Sequence, residues 1–331
     1  MNVQRFGFYI LVNVLGPILV PFFRYFKIFD FVVLVYPGNK NNVTTYLPFA
    51  WLRRLMPMLS IVGFIQKGDQ ENGKRGIIIA SKYYIEEMYG KKTKVAKAIE
   101  RLARRLGAQK VALVGRLPKI LFDYGSPLFV DGKKGTVFSV IDTLEIILSR
   151  LRITKKDITV GVIGVGVIGN EVVKVLKGMG FGGIVAVDKK LGPAVTQEGV
   201  TMGSEATLLA TSDIVIVLTS RGDDIEGAIG HLKNSVILLD DTYPFISKKN
   251  IVRIQQEKRG KIYKVAAVCK GMLTFPKIPG FYRDWIPGCV VEAVVSLHGK
   301  DVFVDQAEFN EAARESGMHT IFSEISEDNL R

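Results

Sequence analysis

Cysteine is nearly missing from this chain of 331 residues: only Cys269 and Cys289 are present, which excludes a disulfide-stapled fold. Histidine is almost as scarce, with His231, His298 and His319 scattered along the sequence. Neither cysteine stands in a Cys-x-x-Cys pair, so no metal centre is expected. There is no internal repeat and no low-complexity tract, which excludes solenoids and arrays. No nucleic-acid-binding motif appears, so no nucleic-acid partner is read. What remains is a chain for a reducing, cytoplasmic compartment, with both thiols reduced.

The composition is that of a globular protein: 48% of the residues are hydrophobic, and the length suits two domains. The net charge of +13 is uneven. Residues 1–156 hold 26 Lys and Arg against 10 Asp and Glu, a balance of +16, whereas residues 157–331 hold 19 against 22. A basic half attracts anionic lipid or an acidic protein, or serves only as a solvated surface. The uncharged run Phe6–Phe23, between Arg5 and Arg24, raises a membrane question. Its 18 residues are short for a span, and Pro17 and Pro21 break a helix. A true span, interfacial contact, and a buried strand over "FGFYILVN" followed by a short helix lying on the core are the readings left open.

The polar "ITKKD" at 153–157 is the clearest punctuation, and it places a domain boundary there. Upstream, "FDFVVLVYPGN" and "RGIIIAS" read as strands. "KVAKAIERLARRL" at 94–106 has helical spacing and stops at Gly107, and "KVALVG" at 110–115 is a further strand. Downstream, apolar strands at 158–164, 183–188, 213–220 and 235–241 alternate with helix-length segments. That alternation predicts a parallel sheet with crossover helices. The expected architecture is α/β: a substrate or docking domain at 1–155, a Rossmann-type doubly wound domain at 156–268, and a segment at 269–331 returning to the cleft between them.

The strand at 158–164 runs into "GVGVIG" and then into helical sequence. This is Gly-x-Gly-x-x-Gly in the strand–turn–helix setting that gives it meaning. Gly164 permits a tight turn, Gly166 leaves room for a pyrophosphate, and Gly169 allows close packing of helix on strand. Val167 and Ile168 open the helix whose amides would face the phosphates. Asp188 ends the next strand, 24 residues beyond Gly164, where a carboxylate accepts from the adenosine ribose and favours NADH. Lys189 and Lys190 follow at once and suit a 2′-phosphate, so NADPH stays open. Thr219 and Ser220 end the third strand, and Tyr243 and Pro244 follow the fourth, on the side of the nicotinamide.

Cys289 lies in "WIPGCVVEAVVSLHGK", with Pro287 suited to the first turn of a helix and Gly299 to its stop. A thiol in a first turn gains thiolate character from the helix dipole. Glu292, three residues on, shares its face, and its charge opposes that gain. An apolar helix equally buries such a cysteine as a small hydrophobe. Nucleophile and core filler both stand on these residues.

Four stretches in the same order, "GVGVIG", "LDDTYP" (239–244), "CKGM" (269–272) and "GCVVEAVV" (288–295), resemble those of the long-chain acyl-[acyl-carrier-protein] reductases, which form fatty aldehydes. That family's turn is usually Gly-Ala-Thr-Gly and its second strand lacks the acid seen at Asp188. The resemblance aligns Cys289 with the family's cysteine, Glu292 with its glutamate and Lys270 with its lysine. It implies an acyl-thioester reductase: the Cys289 thiolate takes the acyl group, and hydride from NADPH or NADH then releases aldehyde. Lys270 would hold an oxyanion or a phosphate. The implied partners are acyl carrier protein or acyl-CoA. The basic residues Lys91, Lys92, Lys94, Lys97, Arg101, Arg104 and Arg105 would form the carrier's docking face. Two other functions compete: a dehydrogenase of a small hydroxy or amino acid with Cys289 merely packed, and a dinucleotide-binding sensor held at a membrane.

Overall fold

The computed structural model describes residues 13, 25, 28–37, 53, 57–66, 73–277, 281–298 and 303–325. The apolar run at 6–23 lies outside them except for Asn13, so the strand and membrane readings of it have no structural counterpart here. The chain divides into two compact units, residues 1–135 with 268–318, and residues 136–267 with 319–331. Among the described residues, no helix is long and apolar enough to cross a membrane.

The first unit begins with β1 (Phe31–Val35), β2 (Leu59–Ile65) and β3 (Gly76–Ser81). All five residues of β1 are buried, as expected of a strand covered on both faces. Helices α1 (Ile85–Tyr89) and α2 (Lys92–Leu106) follow, then β4 (Lys110–Leu113), α3 (Leu117–Leu121) and β5 (Phe129–Val130). β1 lies parallel to both β3 and β4, and β2 runs antiparallel to β3.

Helix α2 buries Val95, Ala96, Ile99, Ala103 and Leu106, the stripe its 3.6-residue period specifies. It ends where its sequence says, on Gly107 at φ 77°, whose amide turns back to the last carbonyls. Its other face exposes Lys91, Lys92, Lys94, Lys97, Arg101, Arg104 and Arg105, with Arg104 paired to Glu100 at 2.7 Å.

Helix α4 (Lys133–Leu151) contains the division between the units, at Gly135/Thr136. The division thus precedes the 155/156 boundary that the polar segment suggests. The reason is packing: Val137, Val140, Ile141, Leu144, Ile147 and Leu148 of α4 belong to the core of the second unit.

The second unit continues with β6 (Thr159–Ile163), α5 (Val167–Gly178), β7 (Gly183–Val187), β8 (Val195–Gln197), β9 (Val200–Gly203), β10 (Ile214–Val217), β11 (Ile237–Asp240), α6 (Lys248–Lys258) and β12 (Lys261–Lys264). Its seven-stranded sheet has the order β12-β11-β10-β6-β7-β9-β8. Only the β8–β9 pair is antiparallel. One face packs under α4 and α5, and the other under Ile225, Ile229 and Leu232 with Ile251 and Ile254 of α6. The unit is therefore a doubly wound Rossmann-type domain.

Two of its crossovers depart from the expected α-helices. Residues 206–211 and 222–231 are 3₁₀ turns, and Gly222, Gly227 and Gly230 in the second discourage a longer α-helix. The 269–331 segment is not one element either. Residues 268–318 complete the first unit with β13 (Thr274–Phe275), which pairs with β2, and helices α7 (Gly288–Val295) and α8 (Gln306–Glu315). Residues 319–331 belong to the second.

Candidate functional site

The order of the second sheet reverses at β6, which stands between β7 and β10. At such a switch point the loops diverge and leave a crevice at the carboxyl ends of the strands. The loop leaving β6 is the Gly164–Gly169 segment. Gly164 adopts φ 94°, a left-handed conformation, and its amide donates to Val187 O at 2.9 Å. A Cβ on Gly164 would stand 2.8 Å from the Leu218 carbonyl carbon, and one on Gly169 would collide with Gly164 O. Both glycines are fixed by packing of strand, turn and helix.

Gly166 differs. It is the N-cap of α5, with φ −80° and ψ −158°, and a Cβ there would meet nothing within 4 Å. No protein contact demands glycine at 166, and the space beside it is open. The first amides of α5, from Val167 and Ile168 onward, lack helical acceptors and leave the helix dipole positive there. Val167 is exposed, whereas Ile168 packs partly onto the core. An uncovered glycine beside a helix N-terminus fits a pyrophosphate.

Asp188 is half-buried at the end of β7, and its Oδ1 accepts the Lys190 amide at 3.0 Å. That bond turns the chain and leaves Lys189 and Lys190 exposed. On the other side of β6, Thr219 donates to Arg221 O at 2.7 Å and Ser220 donates to Asp224 at 3.3 Å, which shapes the loop after β10. Tyr243 and Pro244 are exposed after β11, with Tyr243 edge-on to Phe245. The glycine loop, Asp188, Lys189, Lys190, Thr219, Ser220, Tyr243 and Pro244 thus all stand at the carboxyl edge of one sheet.

Sequence reasoning passed over a charged group at the same edge. The strand register sets Asp240 of β11 against Lys264 of β12. Both are buried, with Lys264 Nζ 4.0 Å from Asp240 Oδ1. Lys264 Nζ also donates to the carbonyls of Asp240 and Thr242 at 2.8 and 3.0 Å and lies 3.7 Å from the centre of the Phe245 ring. Asp240 accepts from the Thr242 amide and hydroxyl and from the Ile246 amide. The pair therefore fixes the loop 241–246. Burial pulls the Lys264 ammonium below its ordinary range, while the two aspartates oppose that. Next to it, the Asp241 carboxyl is pushed up to about 7, chiefly by burial, with Lys264 opposing and Asp240 adding to the rise. The paired acids in "LDD" were the available signal, but the lysine partner lies 24 residues away in sequence.

The residues aligned with the reductases lie in the first unit. Cys289 stands in the first turn of α7, as its spacing predicts, but it is buried, 8% exposed. A Cβ on Gly132 would stand 2.6 Å from Cys289 Cβ, so the cysteine is pressed against backbone. Glu292 accepts the Gly135 amide at 3.0 Å, which caps the start of α4. Burial, followed by the neighbouring Asp131, pushes its carboxyl up to about 7. Lys270 is exposed, in the turn that carries Gly271 at φ 77°. Among the described residues, no group of three or more His, Cys, Asp or Glu is arranged to hold a metal.

Residues 149–239 match the family described as D-isomer specific 2-hydroxyacid dehydrogenase, NAD binding domain. This is an NAD-binding domain. The match spans β6, the glycine loop, Asp188, β10, Thr219 and Ser220 and runs into β11 as far as residue 239; Tyr243 and Pro244 lie beyond it.

Solved structures similar to this chain include the D-isomer specific 2-hydroxyacid dehydrogenase of Lactobacillus delbrueckii ssp. bulgaricus in its NAD complex. It is 13% identical over 87% of this chain and 95% of that one, with a TM-score of 0.36. D-lactate dehydrogenase with NAD+ from Lactobacillus jensenii is 12% identical over 71% and 79%, with a TM-score of 0.34. The D-isomer specific 2-hydroxyacid dehydrogenase of Xanthobacter autotrophicus Py2, in complex with NADPH and MES, is 21% identical over 40% of this chain. The chain spans 65% of that protein's length, with a TM-score of 0.28. A search of curated proteins gives no match.

The family match corrects the resemblance to acyl-[acyl-carrier-protein] reductases. Its first motif, the glycine turn, falls inside a segment that matches a 2-hydroxyacid dehydrogenase domain instead. The acyl-thioester chemistry assigned to Cys289, Glu292 and Lys270 rested on that resemblance and goes with it. So does the reason for acyl carrier protein to dock on α2.

Proposed function

We propose that this chain is an NAD-dependent dehydrogenase that interconverts a small 2-hydroxy acid and its 2-oxo acid. One observation carries the reading: the segment matching the 2-hydroxyacid dehydrogenase NAD-binding domain, residues 149–239, holds an uncovered Gly166 at a helix N-terminus on the switch-point strand. Gly164, Gly166, Val167, Ile168 and Gly169 would hold the pyrophosphate, and Asp188 the adenosine ribose. Because Asp188 fixes the adenosine side at β7, the nicotinamide half faces the β10–β11 side, where Thr219, Ser220, Tyr243 and Pro244 stand. The bound dinucleotide supplies hydride to a carbonyl carbon or accepts it from a carbinol carbon. Arg221, exposed in the loop that follows β10, would serve as the cation for the substrate's carboxylate, which a guanidinium grips with two parallel hydrogen bonds. Asp188, which disfavours a 2′-phosphate, sets the preference for NADH.

The test is NADH oxidation by the full chain with a panel of 2-oxo acids, alongside simple ketones and acyl thioesters. Turnover with one or more 2-oxo acids is expected. A protein that binds NADH but oxidises it with none of them overturns the reading.

A further inference from the structure

Helix α2 carries an arrangement of charge that its own stability does not favour. At 3.6 residues per turn, positions 94, 97, 101, 104 and 105 fall within an arc of about 100°. Each of them is an exposed Lys or Arg. Like charges stand four residues apart in Lys97–Arg101 and Arg101–Arg105, a spacing that destabilises a helix. At the start of α2, Lys91 is an N-cap without a side-chain bond, Lys92 and Lys94 follow, and the first turn holds no acid. Cations there meet the positive end of the helix dipole. The acid within α2, Glu100, is largely covered and bonded to Arg104. Lys94, Lys97, Arg101 and Arg105 form no ion pair among the described residues. Helices α5 and α6 of the second unit show the ordinary alternative, with interleaved signs and the pairs Glu171–Lys174 and Arg253–Glu257 at 3.0 Å. Such a mixture serves solubility, which does not call for a face of one sign.

The surroundings of α2 add apolar contact. Tyr89, which ends α1 just before the N-cap, is 45% exposed, and Phe122, directly after α3, is 44% exposed. Helix α3 shares the core under α2 through Leu117, Ile120 and Leu121, and adds exposed Arg116 and Lys119 against Asp123. The same unit contains the uncharged run Phe6–Phe23. Asn13, within that run, donates to Ile61 O at 2.9 Å and accepts from the Ile61 amide at 3.1 Å. The Ile61 side chain lies in the core that α2 covers, so the run is tied to the sheet beneath the basic helix.

We propose that the first unit binds the surface of an anionic lipid bilayer. Lys94, Lys97, Arg101, Arg104 and Arg105 meet the headgroups, and the Phe6–Phe23 run supplies the apolar contact. A basic helix face together with an apolar signal is what stable but reversible attachment to such a surface requires. A protein partner would need an apolar anchor at the centre of the contact. Helix α2 offers none, because Val95, Ala96, Ile99, Ala103 and Leu106 are buried in the core. Residues 157–331, with 19 Lys and Arg against 22 Asp and Glu, contribute no net attraction. The proposal goes beyond the dehydrogenase reading and does not depend on it.

The experiment is flotation of the full chain with vesicles of phosphatidylcholine alone or of equimolar phosphatidylcholine and phosphatidylserine, at low and at physiological salt. One variant combines Lys97→Gln, Arg101→Gln and Arg105→Gln. A control with the same loss of charge combines Lys233→Gln, Lys248→Gln and Lys249→Gln, exposed positions of the second unit. Binding to the phosphatidylserine vesicles alone is expected, weakening as salt shortens the screening length. Each basic residue near such a surface contributes about fivefold in affinity, so the α2 variant should bind about a hundredfold more weakly and the control within about threefold of the wild type. Glutamine suits a helix and relieves the like-charge spacing, so the α2 variant should melt no lower than the wild type.

Binding to neither vesicle, equal binding to both, or an α2 variant that binds as the wild type does overturns the proposal. So does an α2 variant that melts lower, since the basic residues would then serve the fold. Binding to duplex DNA in place of the phosphatidylserine vesicles overturns it as well, by making the occupant a nucleic acid.

Discussion

Two alanine substitutions, Gly166→Ala and Gly169→Ala, separate the roles of the glycines. At Gly169 a Cβ would run into the carbonyl oxygen of Gly164. Helix α5 would have to retreat from β6, an overpacking that costs about 1–3 kcal/mol. Because α5 also carries the phosphate-facing amides, the same retreat should weaken NADH binding. At Gly166 the added methyl meets no protein atom within 4 Å, and φ −80° suits any residue. Exchanging glycine for alanine at an N-cap costs at most about 1 kcal/mol, partly offset by the lower entropy of the unfolded chain. The methyl does, however, take the space left for a phosphate, so NADH affinity should fall at least about tenfold, or roughly 1.4 kcal/mol. Thermal unfolding and NADH titration of both variants form the assay. Loss of binding without loss of stability is expected only for Gly166→Ala. If Gly166→Ala binds NADH as the wild type does, the cradle is not where the glycine geometry puts it.

Three further outcomes are expected. Asp188→Ala should improve use of NADPH relative to NADH, because the carboxylate goes while Lys189 and Lys190 remain; an unchanged ratio of kcat/KM values would show that Asp188 does not face the ribose. Glu292 has a folded-state carboxyl raised to about 7, so its contribution is fully present below the unfolded value near 4.5 and is lost as pH rises through about 7. The full shift corresponds to roughly 3 kcal/mol, which partial exposure reduces to about 1–2 kcal/mol. Glu292→Gln should flatten that slope in denaturant titrations between pH 5 and pH 8. Cys289→Ala should keep dehydrogenase turnover within about twofold and cost about 1–2 kcal/mol of stability for a trimmed buried side chain; a collapse of turnover in a folded variant would return the thiol to the chemistry.

What the sequence disclosed was local. Strand β6, the glycine turn and α5 are contiguous, so spacing alone locates the cradle, and Asp188 follows at the end of the next strand. The period of α2 and the stop at Gly107 are equally local. The division inside α4 was hidden because that helix reads as one continuous apolar segment, and the polar 153–157 stretch after it looks like a linker. The β8–β9 hairpin escaped notice because its turn, Glu198 at φ 50° and Gly199 at φ 77°, sits between strands of only three and four residues. The Asp240–Lys264 pair depends on strand register, which no spacing rule specifies. Cys289 was placed correctly in a first turn, but the contact with Gly132 that presses it against backbone joins residues 157 apart. The functional reading that the family match corrects rested on the order of four short stretches, that helix among them, and the acid at Asp188 already departed from the pattern.

The most direct measurement of the central claim is label transfer. The full chain is incubated with NAD+ and a set of small 2-hydroxy acids deuterated at carbon 2, and the reduced cofactor is analysed by mass spectrometry. Deuterium in the NADH, with formation of the matching 2-oxo acid and its loss in a Gly166→Ala control, is the predicted result. Bound NAD+ that gains no deuterium from any of these acids would contradict it.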